Sequence, residues 1–277
     1  MPSWTAVSRT EHAKRHWRPR KDYEFAASQQ VVPVMLAELA KLLPHYVLGF
    51  VQTENDAYQA VALVGLGGER NLYISADSKW LCGYVPAALR AYPFALHKNT
   101  NEKETNENAI LCIDELFIND DEAFPRLFKD DGELEDKAAE VLDFVTQCEQ
   151  NRQLTDTAAA ALATAGIIEP WPISIGRGEG QEPLKINGMH RINEEALNKL
   201  DAEALSGLRA SGALVLAYAQ LFSIAQMDQL TNRAEYLARA KEQASPSAGL
   251  SGLFSNEDSG SLNFDAFDSV NTDTDTK

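Results

Sequence analysis

Residues 71–96, NLYISADSKWLCGYVPAALRAYPFAL, crowd Trp80, Tyr84, Tyr92 and Phe94 around one proline-bounded turn. Pro86 suits a first helical position, where its missing N–H is not needed and its φ is already set. Pro93 disfavours helical geometry at Tyr92. The stretch therefore reads as a single helical turn, Pro86–Arg90, with aromatic rings packed before and after it. Two roles stand open for Trp80, Tyr84, Arg90, Tyr92 and Phe94. They can wall a ligand pocket, Arg90 pairing with a carboxylate while the rings exclude water. Or they form a core wedge, in which tyrosine hydroxyls and the Arg90 fork satisfy loop carbonyls. The wedge is the leading reading.

Upstream, Met35, Leu36, Leu39, Leu42 and Leu43 recur at helical spacing, so a helix is expected over Val31–Leu43, with Pro33 in its first turn and Pro44 ending it. Strands are expected at Tyr46–Gln52, Ala60–Leu66 and Asn71–Ser75, the last two forming a hairpin around Gly67-Gly68. Ala109–Asp114 reads as a further strand after the polar loop Lys98–Asn108. A second helix is expected over Glu133–Gln150, its apolar stripe formed by Leu134, Ala138, Val141, Leu142, Val145 and Cys148. Thr155 is read as the cap of a third helix that stops at Gly166. Trp171, Ile173 and Ile175 alternate as in a strand, and so do Leu184 and Ile186. Asn193 can cap a helix over Glu194–Leu200, Asp201–Arg209 is another, and Ala213–Lys241 reads as one long helix. Hairpin-linked strands with helices at both ends predict an α+β fold with a mainly antiparallel sheet, a helical C-terminal part and a disordered acidic tail.

Tyr84-Val85-Pro86-Ala87, with Arg90 and Tyr92-Pro93-Phe94, resembles the signature of the bacterial SapC family, named for association with surface layers. The likeness extends through Tyr23–Ala26, Val31–Tyr46, Cys112–Glu115 and Gly188–Arg233, covering about residues 10–235. The resemblance implies a binding or assembly role connected with the bacterial surface. SapC-like genes also accompany outer-membrane receptor and tryptophan-halogenase-like genes. This leaves open an enzyme or accessory subunit acting with such systems. A peptide-transporter permease shares the family's name, and this chain does not resemble it.

Composition agrees with that distinction. Of 277 residues, 44% are hydrophobic, which is ordinary for a folded domain. A bilayer-spanning helix needs about 20 predominantly apolar residues. The best candidate, Ala213–Met227, is shorter and interrupted by Gln220, Ser223 and Gln226, so no membrane span is expected. Met1–Arg20 lacks the apolar core of a signal peptide. A cytoplasmic location is therefore expected, with the cell surface by a signal-independent route as the alternative. The net charge of −16 argues against nucleic acid as a partner. Domain limits are read as a solvated basic leader (1–22), the SapC-like domain (23–241) and an acidic tail (242–277). The tail is too polar to order alone. Its Phe264 and Phe267, flanked by Asp265 and Asp268, form either a docking motif for a protein partner or part of a solubilising terminus.

No catalytic motif is recognisable. Cys82, Cys112 and Cys148 lack any Cys-x-x-Cys spacing, which argues against disulfides and a thiolate metal site. There is no zinc-helix, Walker or nucleophile-elbow pattern. His12 and His16 share helical spacing, but their basic surroundings oppose a cation, and no metal or cofactor is expected. Gly176–Gly180 reads as a hairpin turn because no helix follows to aim N–H groups at phosphate. Asp114-Glu115 closes a strand, where neighbours face opposite sides, and is read as structural. The expected function is non-catalytic binding or assembly.

Overall fold

The computed structural model describes residues 2–67, 70–98, 109–176 and 183–244. Its elements, in chain order, are β1 (Trp4–Ala6), α1 (Arg9–His12), β2 (His16–Trp17), β3 (Val31–Pro33), α2 (Leu39–Leu42), β4 (Val47–Gln52), β5 (Tyr58–Leu63), α3 (Ala87–Arg90), β6 (Phe94–Lys98), β7 (Ala109–Asp114) and β8 (Ile118–Asn119). There follow α4 (Asp136–Thr164), β9 (Ile168–Pro170), β10 (Ile173–Ile175), β11 (Leu184–Ile186), β12 (Met189–Ile192), α5 (Glu194–Asn198), α6 (Ala202–Ala210), α7 (Ala213–Ser223) and α8 (Met227–Ala244). The chain divides at Arg233 into two units, Met1–Arg233 and Ala234–Lys277; of the second, the described part is the end of α8.

Among the described residues the strands pair antiparallel throughout. The largest sheet has the order β3-β5-β4-β12-β9, and a second has the order β1-β7-β6. With helices packed on them, this is the expected α+β architecture. The core lies on the larger sheet, where Val47, Phe50, Val61 and Ala62 are fully buried. α7 packs there through Leu216 and Ala217, and two of its buried polar groups bond to strand backbone. Ser223 Oγ accepts from Leu48 N (2.9 Å), and Gln220 Oε1 accepts from Ile192 N (2.9 Å). No single described helix is long and apolar enough to cross a membrane.

Several expectations change. Val31–Leu43 is not one helix: Val31–Pro33 is a strand, and helix begins only after Met35. β-Branched Val31 and Val32 favour extended chain, and Pro33 is tolerated because β3 is an edge strand. Asn71–Ser75 is not a strand either. Buried Asn71 accepts from Tyr73 N (2.9 Å) and donates to Ala26 O (3.2 Å), closing a side-chain turn instead of a ladder. Ser75–Lys79 then reverses the chain so that Ile74 bridges to Trp80.

The two helices expected around Thr155 are one 29-residue helix, α4. Thr155 caps nothing. Its hydroxyl donates to Asn151 O (2.7 Å) within the helix and accepts from Leu36 N (3.0 Å). Buried Ala158, Ala159 and Leu162 carry the helix on to Gly166, whose φ of +68° stops it as expected. Asn193 caps α5 as read, whereas Asp201, expected as the first helical residue, caps α6 instead. The expected helix over Ala213–Lys241 is broken by a 3₁₀ turn at Ile224–Gln226.

Trp4–Trp17 is not a solvated leader. Trp4–Ala6 pairs with Asp114–Cys112, and His16–Trp17 pairs with Asn119–Ile118. Trp17 is buried in a cluster with Phe94, Ile113, Leu127 and Val145. His12 ends α1 and His16 lies in β2, so helical spacing does not relate them. Phe264 and Phe267 lie outside the described residues, as do residues 177–180 of the glycine-rich turn and most of the polar loop after β6.

Candidate functional site

The aromatic segment sits over two buried carboxylates. Glu38 and Asp114 are 4% and 1% exposed, so each needs donors to replace lost water. Glu38 Oε2 accepts from the Tyr84 hydroxyl (2.8 Å) and from Ala87 N at the start of α3 (2.8 Å). Its Oε1 accepts from Met35 N (3.0 Å). Asp114 Oδ2 accepts from the Tyr92 hydroxyl (2.5 Å) and Oδ1 from Leu116 N (3.3 Å). Pro86 stands at the cap of α3, one position before the expected first turn, and the Tyr92–Pro93 bond is cis.

Trp80 and Tyr84 come together with a residue the sequence did not single out. Trp80 Nε1 donates to the Tyr46 hydroxyl (3.0 Å) and to Tyr84 O (3.1 Å), and the Tyr46 hydroxyl also donates to Tyr84 O. The rings of Tyr46, Tyr73 and Trp80 stack in series, and the Arg233 guanidinium lies 4.7 Å from the Tyr73 ring centre. Tyr92 lies apart, stacked on Phe25 at 3.9 Å. Phe94 meets Trp17 edge-on at 4.8 Å. Arg90 is held by rings rather than by a carboxylate: it lies 5.5 Å from the Tyr84 ring and 4.9 Å from that of Phe144, and donates to the Tyr84 hydroxyl (3.3 Å).

These surroundings keep the phenols protonated. Burial first, then the Glu38 carboxylate, pushes Tyr84 up to about 12. Tyr92 is raised by burial and by Asp114, and Tyr46 and Tyr73 are raised mainly by burial.

The five residues do not line one cavity. Of them, Phe94 alone reaches a cleft of about 690 Å³, counted out into open solvent. Pro33, Val34 and Met35 from the end of β3 face Phe94, Ala95 and Leu96 of β6 across it. Ala87, Ala88 and Ala91 of the α3 region and Val145 and Cys148 of α4 complete the apolar lining. One end is ionic. Arg152 donates to Glu149 Oε1 and Oε2 (2.5 and 2.8 Å) and to Asp156 Oδ2 (2.6 Å). Burial raises Asp156 against the pull of Arg152, and burial also pushes the Cys148 thiol up. Sequence reasoning missed this trio because the expected break between two helices fell at Arg152; only the unbroken helix gives the i, i+3, i+7 spacing.

A family model, SapC, matches residues 7–230. No curated protein and no solved structure matches the chain. The match spans the aromatic segment, both buried carboxylates and every residue lining the cleft. The chain therefore belongs to the SapC family.

Proposed function

We propose that the chain is a non-catalytic binding or assembly protein that holds its ligand in the cleft between β3 and β6, in a role loosely linked to the bacterial surface layer. The observation that carries this reading is the cleft itself, with a mainly apolar lining and the charged Glu149, Arg152 and Asp156 at one end. This is the usual make-up of a binding site. Its chemistry suits holding better than conversion. A nucleophilic thiol needs a lowered pKa, whereas burial raises that of Cys148. Arg152 is already shared between two carboxylates. The tyrosines of the family segment are committed to internal bonds and keep their protons at neutral pH.

The test is capture from native lysate with identification of bound molecules, comparing the wild-type chain with Ala88→Trp. Ala88 is exposed on α3 and lines the cleft, so a large ring there fills the space without entering the core. Loss of a reproducible ligand from the variant is expected. An unchanged ligand set would remove the cleft from consideration. Recovery of a chemically altered ligand would favour the other reading, an enzyme or accessory subunit acting with outer-membrane receptor or tryptophan-halogenase-like systems.

A further inference from the structure

We propose that the cleft receives an extended segment of another polypeptide, which adds as a strand to the open edge of β6 with a basic side chain at the Glu149–Arg152–Asp156 end. The proposal rests on the reading of the cleft as a binding site and names its occupant.

The argument begins with register. Phe94 pairs with Ile113 and Ala95 with Cys112, and Asp114 N donates to Pro93 O (2.9 Å). In an antiparallel ladder this makes Phe94–Ile113 a non-hydrogen-bonded pair and Ala95–Cys112 a hydrogen-bonded one. Ala95 therefore turns its N–H and C=O towards β7, and Leu96 turns both of its groups the other way. Among the described residues β6 pairs with β7 alone, so Leu96 presents a donor and an acceptor on an open edge. Phe94, Ala95 and Leu96 all line the cleft, as residues of a strand seen edge-on would. The facing edge is different. Pro33, in β3, has no N–H to offer and blunts that edge. The cleft thus has one side with both a donor and an acceptor for a strand and one side where Pro33 offers no donor.

Length favours a peptide over a compact molecule. The α4 residues along the cleft run from Val145 to Asp156. Eleven helical steps rise about 16 Å, the span of about five residues of extended chain. Side chains from alternate positions would meet the apolar lining of Val34, Met35 and Ala91. At the ionic end two carboxylates share one guanidinium. An acidic residue arriving there must compete with both for Arg152, whereas Lys or Arg meets two carboxylates.

The experiment uses the full chain, ¹⁵N-labelled. One probe is a pool of acetylated hexapeptide amides with Lys fixed at one position and Val, Ala or Thr at the others. Two further pools carry N-methyl groups on the odd or on the even residues, and n-hexylamine serves as a small amphipathic cation. Strand addition predicts that the parent pool binds. It also predicts that one methylated pool loses about tenfold or more in affinity while the other keeps it, because only alternate N–H groups face β6. Exchange of the Leu96 amide should slow by about tenfold or more on binding. Ala88→Trp should abolish binding with its melting temperature unchanged. Equal binding by both methylated pools, or unchanged Leu96 exchange, overturns the proposal. Binding of hexylamine without any peptide overturns the strand but leaves the cleft as a site; binding of neither overturns both.

Discussion

The Tyr92 hydroxyl donates to Asp114 Oδ2 across 2.5 Å, tying the residue before Pro93 to the last residue of β7. A carboxylate 1% exposed depends on such a donor, and the bond fixes where the chain turns from α3 into β6. Tyr92→Phe keeps the ring stacked on Phe25 and removes only the hydroxyl. A hydrogen bond to a charged group contributes about 1.5–3 kcal/mol, and that loss is expected in urea denaturation. A wild-type midpoint would show that the bond contributes nothing.

Glu38 anchors the other half of the segment. Its three donors are Met35 N, Tyr84 Oη and Ala87 N, and all point at carboxylate oxygens. Glu38→Gln keeps the shape but places an amide N–H₂ where an acceptor is required. The cost should be about 1–3 kcal/mol, the range for unsatisfying a buried group. Equal stability of the variant and wild type by chemical denaturation would refute the anchor.

The raised phenols predict loss of stability in alkali. Tyr84 goes from 10.0 unfolded to about 12 folded, so the folded state holds its proton more tightly. The resulting stabilisation is complete below pH about 10 and is lost as pH climbs through 12. Tyr46, Tyr73 and Tyr92 shift in the same direction. Denaturation midpoints should hold steady from pH 8 to 9 and fall above 10, less steeply in Tyr84→Phe. Identical slopes for the two proteins would contradict the assignment to Tyr84.

Phe94 and Trp80 should separate in their stability cost. Phe94 is 2% exposed in the cluster around Trp17, and Phe94→Ala should cost about 3–5 kcal/mol. Trp80 is half-buried, and Trp80→Ala should cost less. Guanidinium titration of both variants decides it, and equal costs would mean that Trp80 is as much core as Phe94.

Local chemistry explains what could be read from the sequence. β4, β5 and β7 follow from short apolar runs between turn residues, and Asn193, Asp201 and Gly166 mark helix ends by their own side chain or φ. The unread parts depend on distant partners. β1 is three residues long and exists because Asp114 lies opposite Trp4. Glu38 meets Tyr84 and Ala87 from 46 and 49 residues away, which no local window contains. Thr155 is a favoured cap residue, so local preference suggested a break; packing of Ala158, Ala159 and Leu162 overrode it. Trp80, Tyr84, Arg90, Tyr92 and Phe94 are neighbours in sequence but serve different surroundings in space. Tyr84 and Tyr92 donate to separate carboxylates, and Phe94 joins the Trp17 cluster.

The unbroken length of α4 has a consequence for how this protein can change. It packs on β5 of the larger sheet and on β6 of the smaller one, so it acts as a ruler laid across both sheets. One residue inserted between Val145 and Ala158 would turn everything beyond it by about 100° and advance it by about 1.5 Å. Ala158, Ala159 and Leu162 would then fall out of phase with the core they are buried in, and Arg152 with the cleft. An insertion of seven restores the phase but displaces the far end by about 10 Å. Neither edit is tolerable, so substitution is open to this helix while insertion and deletion are closed.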